Sequence, residues 1–163
     1  MAKVTVTPNG VKISRKGGGN SQPKERGECK GWSVGAARRN SHFLMSIDAA
    51  EMVGRFKIVS FSLTIGEIPA TSDDWQKVRR AFLKRLDRMG MVGFHWLTEW
   101  QRRGAPHLHG VALFPASDTS NLTDGVTYHW LQASSRYSSG VRSQHAVYVH
   151  SLTGWLQYLG KHG

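Results

Sequence analysis

The sequence predicts an α+β fold in which helices flank a central antiparallel β-sheet. Apolar residues recur at strand spacing in some segments and at helix spacing in others. The strand-like segments are 3–14, 55–65, 92–114 and 144–152. The helix-like segments are 33–52, 71–90, 128–134 and 153–163. Their order along the chain favours helices packed on an antiparallel sheet.

The first third of the chain predicts a hairpin, a loop, a helix and a strand. Residues 3–14 alternate around Pro-Asn-Gly, a pattern typical of a β-hairpin. Residues 15–31 are glycine-rich and basic without periodicity, which indicates a loop. We predict a helix over 33–52 and a strand over 55–65, because β-branched and aromatic residues dominate the latter.

The segment 71–90 has the clearest helical pattern. One face carries its large apolar residues, namely Trp75, Val78, Phe82 and Leu86. Acidic residues occupy the first turn, basic residues the last, and Gly90 follows them. This charge order stabilises a helix through its dipole, and glycine is a common terminator.

The second half predicts a hairpin over 92–114, because apolar runs flank a polar turn. A polar loop at 115–126 leads into a short helix from Tyr128 to Ser134. A strand at 144–152 then precedes a helix at 153–163, with Thr153 as its N-cap. Since the sequence ends within this helical pattern, we expect it to be the N-terminal part of a longer protein.

Composition favours a polyanionic partner. The 163 residues carry 22 Lys and Arg against 11 Asp and Glu, a net charge of +11. A single cysteine, Cys29, excludes an internal disulfide framework and a cysteine-based zinc site, and fits a reducing cytoplasm. The sequence contains no run of 18 apolar residues, so it predicts no membrane-spanning helix. We therefore expect a cytoplasmic protein whose partner is either nucleic acid or an anionic membrane face.

The segment "RGAPHLHG" places two histidines on either side of one leucine, just after a turn. With that turn at 102–104, Glu99 faces His107, and His109 lies two residues further along the same strand. Residues at i and i+2 share a face of a strand, so all three side chains project together while Leu108 points into the core. Opposed Cβ atoms are roughly 5 Å apart, which lets two imidazoles and a carboxylate approach one ion.

Two imidazoles and one carboxylate leave coordination positions open, as a catalytic metal site requires. Mn²⁺ or Mg²⁺ is the expected ion because phosphate and carboxylate oxygens suit it, and Zn²⁺ is the alternative. The competing interpretation is a pair of ordinary surface histidines on a hairpin.

Tyr158 is the candidate nucleophile among four tyrosines. Lys161 follows it by three residues, on the same helical face, where an ammonium favours the phenolate and can meet a phosphate oxygen. The competing interpretation is a half-buried tyrosine packing with Trp155, Leu156 and Leu159. His162 also lies on this face, and we interpret it as an exposed residue.

These motifs resemble those of the HUH endonucleases, and most closely the rolling-circle replication initiators of filamentous phages and related small replicons. The resemblance rests on "EWQRRGAPHLHG" with "YLGK" downstream, and is supported by "GWSVGAARRN" and "FSLTI". It covers about residues 30–163, so we predict an HUH endonuclease domain at 31–163. Residues 1–30, the hairpin and glycine-rich basic loop, precede it.

The resemblance implies an HUH/RRM-like palm with a metal on one face of its sheet. Glu99, His107 and His109 would hold the ion. Tyr158 would attack a DNA phosphate, leaving a 5′-phosphotyrosine and a free 3′-OH, with assistance from Lys161. The implied partners are single-stranded or origin DNA and the helicase and polymerase of a host bacterium, without a membrane. His162 replaces the second tyrosine of some relatives, which indicates a single-tyrosine enzyme.

Three alternative functions remain at this stage. A single-tyrosine transposase or relaxase would use the same chemistry on another substrate. A metal-dependent hydrolase would use water and form no protein–DNA adduct. A non-catalytic nucleic-acid-binding domain would bind without metal-dependent cleavage, and its histidines would be incidental. For the nicking enzyme, the candidate contacts to the DNA backbone are Arg38, Arg39, Arg102, Arg103 and the segment 12–30.

Overall fold

The computed structural model describes residues 2–15 and 33–160. In these ranges the elements, in chain order, are β1 (Ala2–Thr7), β2 (Gly10–Arg15), α1 (Val34–Ser46), α2 (Ala49–Arg55), β3 (Phe56–Thr64), α3 (Ser72–Arg88), β4 (Gly93–Trp100), β5 (Pro106–Pro115), α4 (Leu122–Ala133), β6 (His145–Tyr148) and α5 (Leu152–Gly160). The predicted loop at 15–31 lies outside the described residues except for Arg15, which ends β2.

The chain divides into two compact units. The first comprises Met1–Met52 and Ser151–Gly163, and the second is Val53–His150. The predicted division into 1–30 and 31–163 stays a prediction. No helix of the described ranges is long and apolar enough to cross a bilayer.

The second unit contains a four-stranded antiparallel sheet in the order β4-β5-β3-β6. Helices α3 and α4 pack against one face, where Phe61 and Leu108 join Phe82 and Trp130 in a single buried cluster. The rings of Phe61 and Phe82 meet edge to face at 5.7 Å, a favourable aromatic geometry. The predicted α+β fold with helices flanking an antiparallel sheet is therefore confirmed.

Helix α3 agrees closely with its predicted segment. Thr71 is its N-cap, and its hydroxyl accepts a hydrogen bond from the backbone N–H of Asp74 at 3.1 Å. Hydrogen bonds from Lys77 and Thr71 lower the pKa of the Asp74 carboxyl. All four predicted core residues, Trp75, Val78, Phe82 and Leu86, are buried.

The prediction of one helix over 33–52 is wrong, because α1 ends at Ser46 and α2 begins at Ala49. Ile47 between them is extended, with φ −79° and ψ 123°. The carboxylate of Asp48 accepts from the backbone N–H groups of Ala50 and Glu51 at 3.1 Å. This is N-cap chemistry, so Asp48 starts a new helix rather than continuing the old one.

Other predicted boundaries are also wrong. The predicted strand 144–152 is observed as β6, which ends at Tyr148. Helix α4 begins at Leu122, within the predicted loop 115–126, because the side chain of Asn121 caps it by accepting from the backbone N–H of Asp124. Helix α5 begins at Leu152, so Thr153 lies inside the first turn rather than at the N-cap. Residues 161–163 of the predicted final helix lie outside the described residues.

The first unit contains the predicted N-terminal hairpin, β1–β2. Its strands pair with Thr7 opposite Gly10, which leaves Pro8 and Asn9 as a two-residue turn. The Asn9 amide donates to the backbone oxygen of Ile47, at the end of α1. Helices α1 and α5 pack together in the same unit.

Candidate metal centre

The register of β4 and β5 confirms the predicted pairing of Glu99 with His107. His109 lies two residues further along β5, and its Cα pairs with Leu97 on one side and Ser62 on the other. Leu108 points to the opposite face and is only 1% exposed, within the core cluster. The single residue between the histidines therefore places both imidazoles on the sheet face opposite α3 and α4.

The three predicted ligands are neighbours on this face. His109 Nε2 lies 3.1 Å from Glu99 Oε2. The rings of His107 and His109 have their centroids 4.3 Å apart. His109 is buried, whereas His107 and Glu99 are half-buried, so the cluster is open to solvent on one side.

His109 is oriented by Ser62 of the neighbouring strand β3. Its Nδ1 lies 2.8 Å from the Ser62 hydroxyl oxygen. When Nδ1 donates its proton to this oxygen, Nε2 carries the lone pair and faces the Glu99 carboxylate. In metal sites, a ligand histidine usually donates its other ring N–H to such a polar partner, which fixes its tautomer.

His107 is held more loosely. Burial, then the nearby His109 and Arg103, lower the pKa of its imidazole, while Glu99 opposes the shift. This shift favours the neutral imidazole, the state in which it can bind a metal. Its Nδ1 lies 3.5 Å from the amide nitrogen of Gln101, at the limit of a hydrogen bond.

The turn between β4 and β5 is fixed by Arg103. Its guanidinium donates to the backbone oxygens of Ile65 and Gly66, and its Nε donates to the Gln101 side-chain oxygen at 2.9 Å. Gly104 has φ +79°, a conformation that favours glycine. Arg103 therefore anchors the turn through these hydrogen bonds, and both it and its neighbour Arg102 are exposed to solvent.

The residues fit a divalent cation, although the described residues contain no ready-made cluster of three His, Cys, Asp or Glu ligands. Two ligand atoms that each lie about 2.1 Å from one ion, at about a right angle, are about 3.0 Å apart. Glu99 and His109 already have this separation, at 3.1 Å. The His107 ring lies next to this pair, with its centroid 4.3 Å from that of His109.

The predicted nucleophile belongs to the other unit. Tyr158 lies on α5, half-buried, with its ring stacked on Trp155 at a centroid distance of 5.5 Å. Lys161 lies outside the described residues, so the predicted pairing of its ammonium with the phenol stays a prediction.

Sequence reasoning missed two residues that contact the candidate ligands, Ser62 and Gln101. If the alternation of β4 is continued by one residue, Gln101 falls on the same face as Glu99, so the sequence pattern could have indicated its contact with His107. Ser62 lies 47 positions before His109, and their contact depends on the pairing of β3 with β5, which the sequence does not specify.

Comparison with known proteins gives three relatives of comparable similarity. The replication-associated protein of Pseudomonas phage Pf3 is 41% identical over 145 residues, which is 88% of this chain and 51% of the relative. Two provisionally named replication proteins of Xylella fastidiosa, from strains 9a5c and Temecula1, are each 42% identical over 139 residues, or 84% of this chain. The chain spans 47% and 51% of their lengths.

The chain thus spans about half the length of the curated relatives it matches. No protein-family model and no solved structure matches it.

Proposed function

We propose that this chain is the nicking domain of a replication initiator, a metal-dependent endonuclease that cuts single-stranded DNA at a specific site and starts rolling-circle replication. The convergence of Glu99, His107 and His109 on one open sheet face carries the proposal. The replication role of the named relatives supports it.

The protein's own residues prepare the site for a phosphate. Ser62 orients His109, burial favours the neutral form of His107, and Glu99 supplies a carboxylate at the sheet edge. A bound Mn²⁺ or Mg²⁺ would polarise the scissile phosphate and offset the charge that develops on it. Zn²⁺ is the less favoured ion.

Tyr158 is the proposed nucleophile. Its phenolic oxygen forms a bond to phosphorus, the bond from phosphorus to the 3′ oxygen breaks, and that oxygen leaves as a 3′-hydroxyl after taking up a proton. Lys161 would favour the phenolate and contact the phosphate. The resulting 5′-phosphotyrosine conserves the energy of the phosphodiester, so the strand can be rejoined without ATP.

The charge of the chain suits a nucleic-acid substrate. With a net charge of +11, it would bind the DNA backbone with an affinity that falls steeply with salt. A host polymerase would extend the 3′-hydroxyl and a host helicase would open the duplex. A single-tyrosine transposase or relaxase would share the chemistry and differ in its DNA.

The experiment is a denaturing gel of the intact protein with labelled single-stranded DNA from its own replicon, run with Mn²⁺ and with EDTA. We expect a metal-dependent band of protein joined to DNA. Tyr158→Phe should abolish this band while DNA binding persists. Tyr128→Phe is the matched control, because Tyr128 is an exposed tyrosine on α4, away from the metal face.

The other outcomes assign other functions. Cleavage without an adduct would identify a hydrolase that uses water. Binding without cleavage would leave a nucleic-acid-binding domain. An adduct that survives Tyr158→Phe would mean that another residue is the nucleophile, and His107→Ala that nicks normally in EDTA would remove the metal from the mechanism.

A further inference from the structure

A small aromatic cavity lies on the opposite face of the sheet from the candidate metal centre, at the ends of β4 and β5 where the candidate ligands also lie. Its volume is about 200 Å³, and its walls include two indoles, Trp75 and Trp100, and two proline rings, Pro69 and Pro106. Pockets for whole drug-sized ligands are roughly 300–1,000 Å³, so this one suits a single ring system.

The two indoles differ in a way that suits a ligand. Trp75 is buried, and its Nε1 donates to the Thr98 hydroxyl at 3.3 Å, so its polar edge is satisfied and its position is fixed. Trp100 is 66% exposed, a large apolar area to leave in water. A planar ring can stack on the exposed indole of Trp100 while the fixed indole of Trp75 lines the cavity behind it.

The cavity is next to the candidate ligands in register. Trp100 directly follows Glu99, Pro106 directly precedes His107, and Trp100 pairs with Pro106 just as Glu99 pairs with His107. Adjacent residues of a strand point to opposite faces, so the cavity and the ligands are separated by the thickness of the sheet.

The strand order allows a flexible ligand to pass from one face of the sheet to the other. In the order β4-β5-β3-β6, β4 is an edge strand. A flexible polymer whose phosphate lies against Glu99 can therefore fold around β4 and reach Trp100 on the other face. Double-stranded DNA is too stiff for such a turn, whereas an unpaired strand is not.

We propose that this cavity, defined by Pro69, Trp75, Trp100 and Pro106, is a subsite for one unpaired nucleobase that flanks the phosphate at the metal face. The proposal rests on the proposed function, since it takes single-stranded DNA as the ligand. The base stacks on Trp100, and such stacking tolerates any base because each has a π-face. The exposed Arg102 of the adjoining turn complements the phosphates that lead to it.

The test compares two ligands that differ only in their bases. The affinity of the intact protein is measured for an oligothymidylate of about twelve nucleotides and for an abasic oligonucleotide of the same length, both in EDTA. We expect Trp100→Ala to weaken oligothymidylate binding about tenfold and to leave abasic binding within about twofold.

Two further variants control for structure. Trp100→Phe retains an aromatic face and should keep most of the oligothymidylate affinity. Phe94→Ala removes another exposed aromatic residue of β4, on the same strand face but outside the cavity, and should change neither affinity.

Equal losses on both oligonucleotides, or no loss on either, would overturn the subsite without touching the nicking proposal, whose test does not involve Trp100. A wild-type protein that binds neither oligonucleotide would likewise overturn the subsite, and the nicking proposal would still be decided by its own test on replicon DNA. If Trp100→Ala instead dissociated a dimer in sedimentation, the indole would cover a second copy of the chain, and the nucleobase assignment would be wrong.

Discussion

The hairpins β1–β2 and β4–β5 have similar alternating sequences but differ in whether their apolar face is covered. In β1–β2 the apolar residues Val4, Val6, Val11 and Ile13 pair with one another across the strands, and all are exposed, Val6 by 75%. In β4–β5 the middle of the apolar face is covered, and Leu108 is 1% exposed, whereas Phe94 and Trp100 toward the ends of β4 stay exposed. Alternation therefore determines which residues share a face, and the neighbouring elements determine which face is buried.

The neighbours of the two hairpins explain the difference. Hairpin β1–β2 is held through its turn and its polar residues, because Asn9 bonds the end of α1 and Lys12 contacts His42. Hairpin β4–β5 is extended by β3 into a larger sheet, and two helices cover one side. The side opposite α3 and α4 is the one that carries the candidate metal ligands.

The largest contrast should appear on truncating one apolar residue in each hairpin. Leu108→Ala removes side-chain contacts inside the core, so we expect the free energy of unfolding to fall by about 3 kcal/mol. Val6→Ala removes a side chain that is already in water and should cost less than about 0.5 kcal/mol. Urea unfolding followed by tryptophan fluorescence measures both, and equal costs would mean that Val6 is covered in solution.

A second contrast lies within β4–β5, between two glycines. A Cβ added at Gly110 would lie 2.7 Å from the backbone oxygen of His95 and 2.5 Å from the Phe61 ring. Because neither the backbone oxygen nor the packed ring can move away without disturbing the core, Gly110→Ala should lower the free energy of unfolding by about 2 kcal/mol. Gly93→Ala meets only ordinary contacts, at 3.9 Å from Leu113, and should be nearly neutral. A well-tolerated Gly110→Ala would show that β5 can shift relative to β3.

The sheet face that carries the candidate ligands offers a matched pair of serines on β3. Ser62→Ala removes the hydroxyl that orients His109, so we expect Mn²⁺ affinity to fall about tenfold, or about 1.4 kcal/mol, while the fold persists. Ser60 is buried two residues away on the same strand face, and its Cα pairs with Val111 and Val147 rather than with a candidate ligand. Isothermal titration should therefore find Ser60→Ala close to wild type, and an equal loss in both variants would assign the effect to packing.

The smallest effect is a pH dependence of stability that comes from a histidine of β4. Burial lowers the pKa of His95 below its ordinary value of 6.5. The unfolded chain then binds the proton more readily, so stability is fully present above pH 6.5 and is lost as the pH falls through the folded-state pKa. His95→Gln should flatten the decline of unfolding free energy below about pH 6.5, measured in EDTA.

His129 on α4 also has a pKa lowered by burial, and then by Arg85, so it contributes with the same sign. His129→Gln should flatten the decline independently of His95→Gln. A decline that neither substitution changes would come from other groups.

Local sequence patterns predicted α3 and the β4–β5 register because their determinants lie within a few residues. The helical spacing from Trp75 to Leu86 and the turn before His107 are both short-range signals. The interruption at Asp48 was missed because a capping aspartate looks like any polar residue of a helix. The start of α4 was missed although Asn121 and the four-residue spacing of Leu122, Val126 and Trp130 indicated it.

Contacts between distant segments could not be predicted in this way. The support of His109 by Ser62 needs the pairing of β3 with β5, and the aromatic cavity needs the N-terminal end of α3 to lie beside the end of β4. Both depend on topology, which local periodicity does not determine.

The strand pairing also implies an order of events during folding. Glu99, His107 and His109 are joined by one hairpin, and hairpins form in about 1–10 μs. The contact with Ser62 spans 47 positions and must await a non-local pairing, which is slower because a longer loop has to close. The folding chain therefore gathers its three candidate ligands first and aligns His109 only when β3 docks.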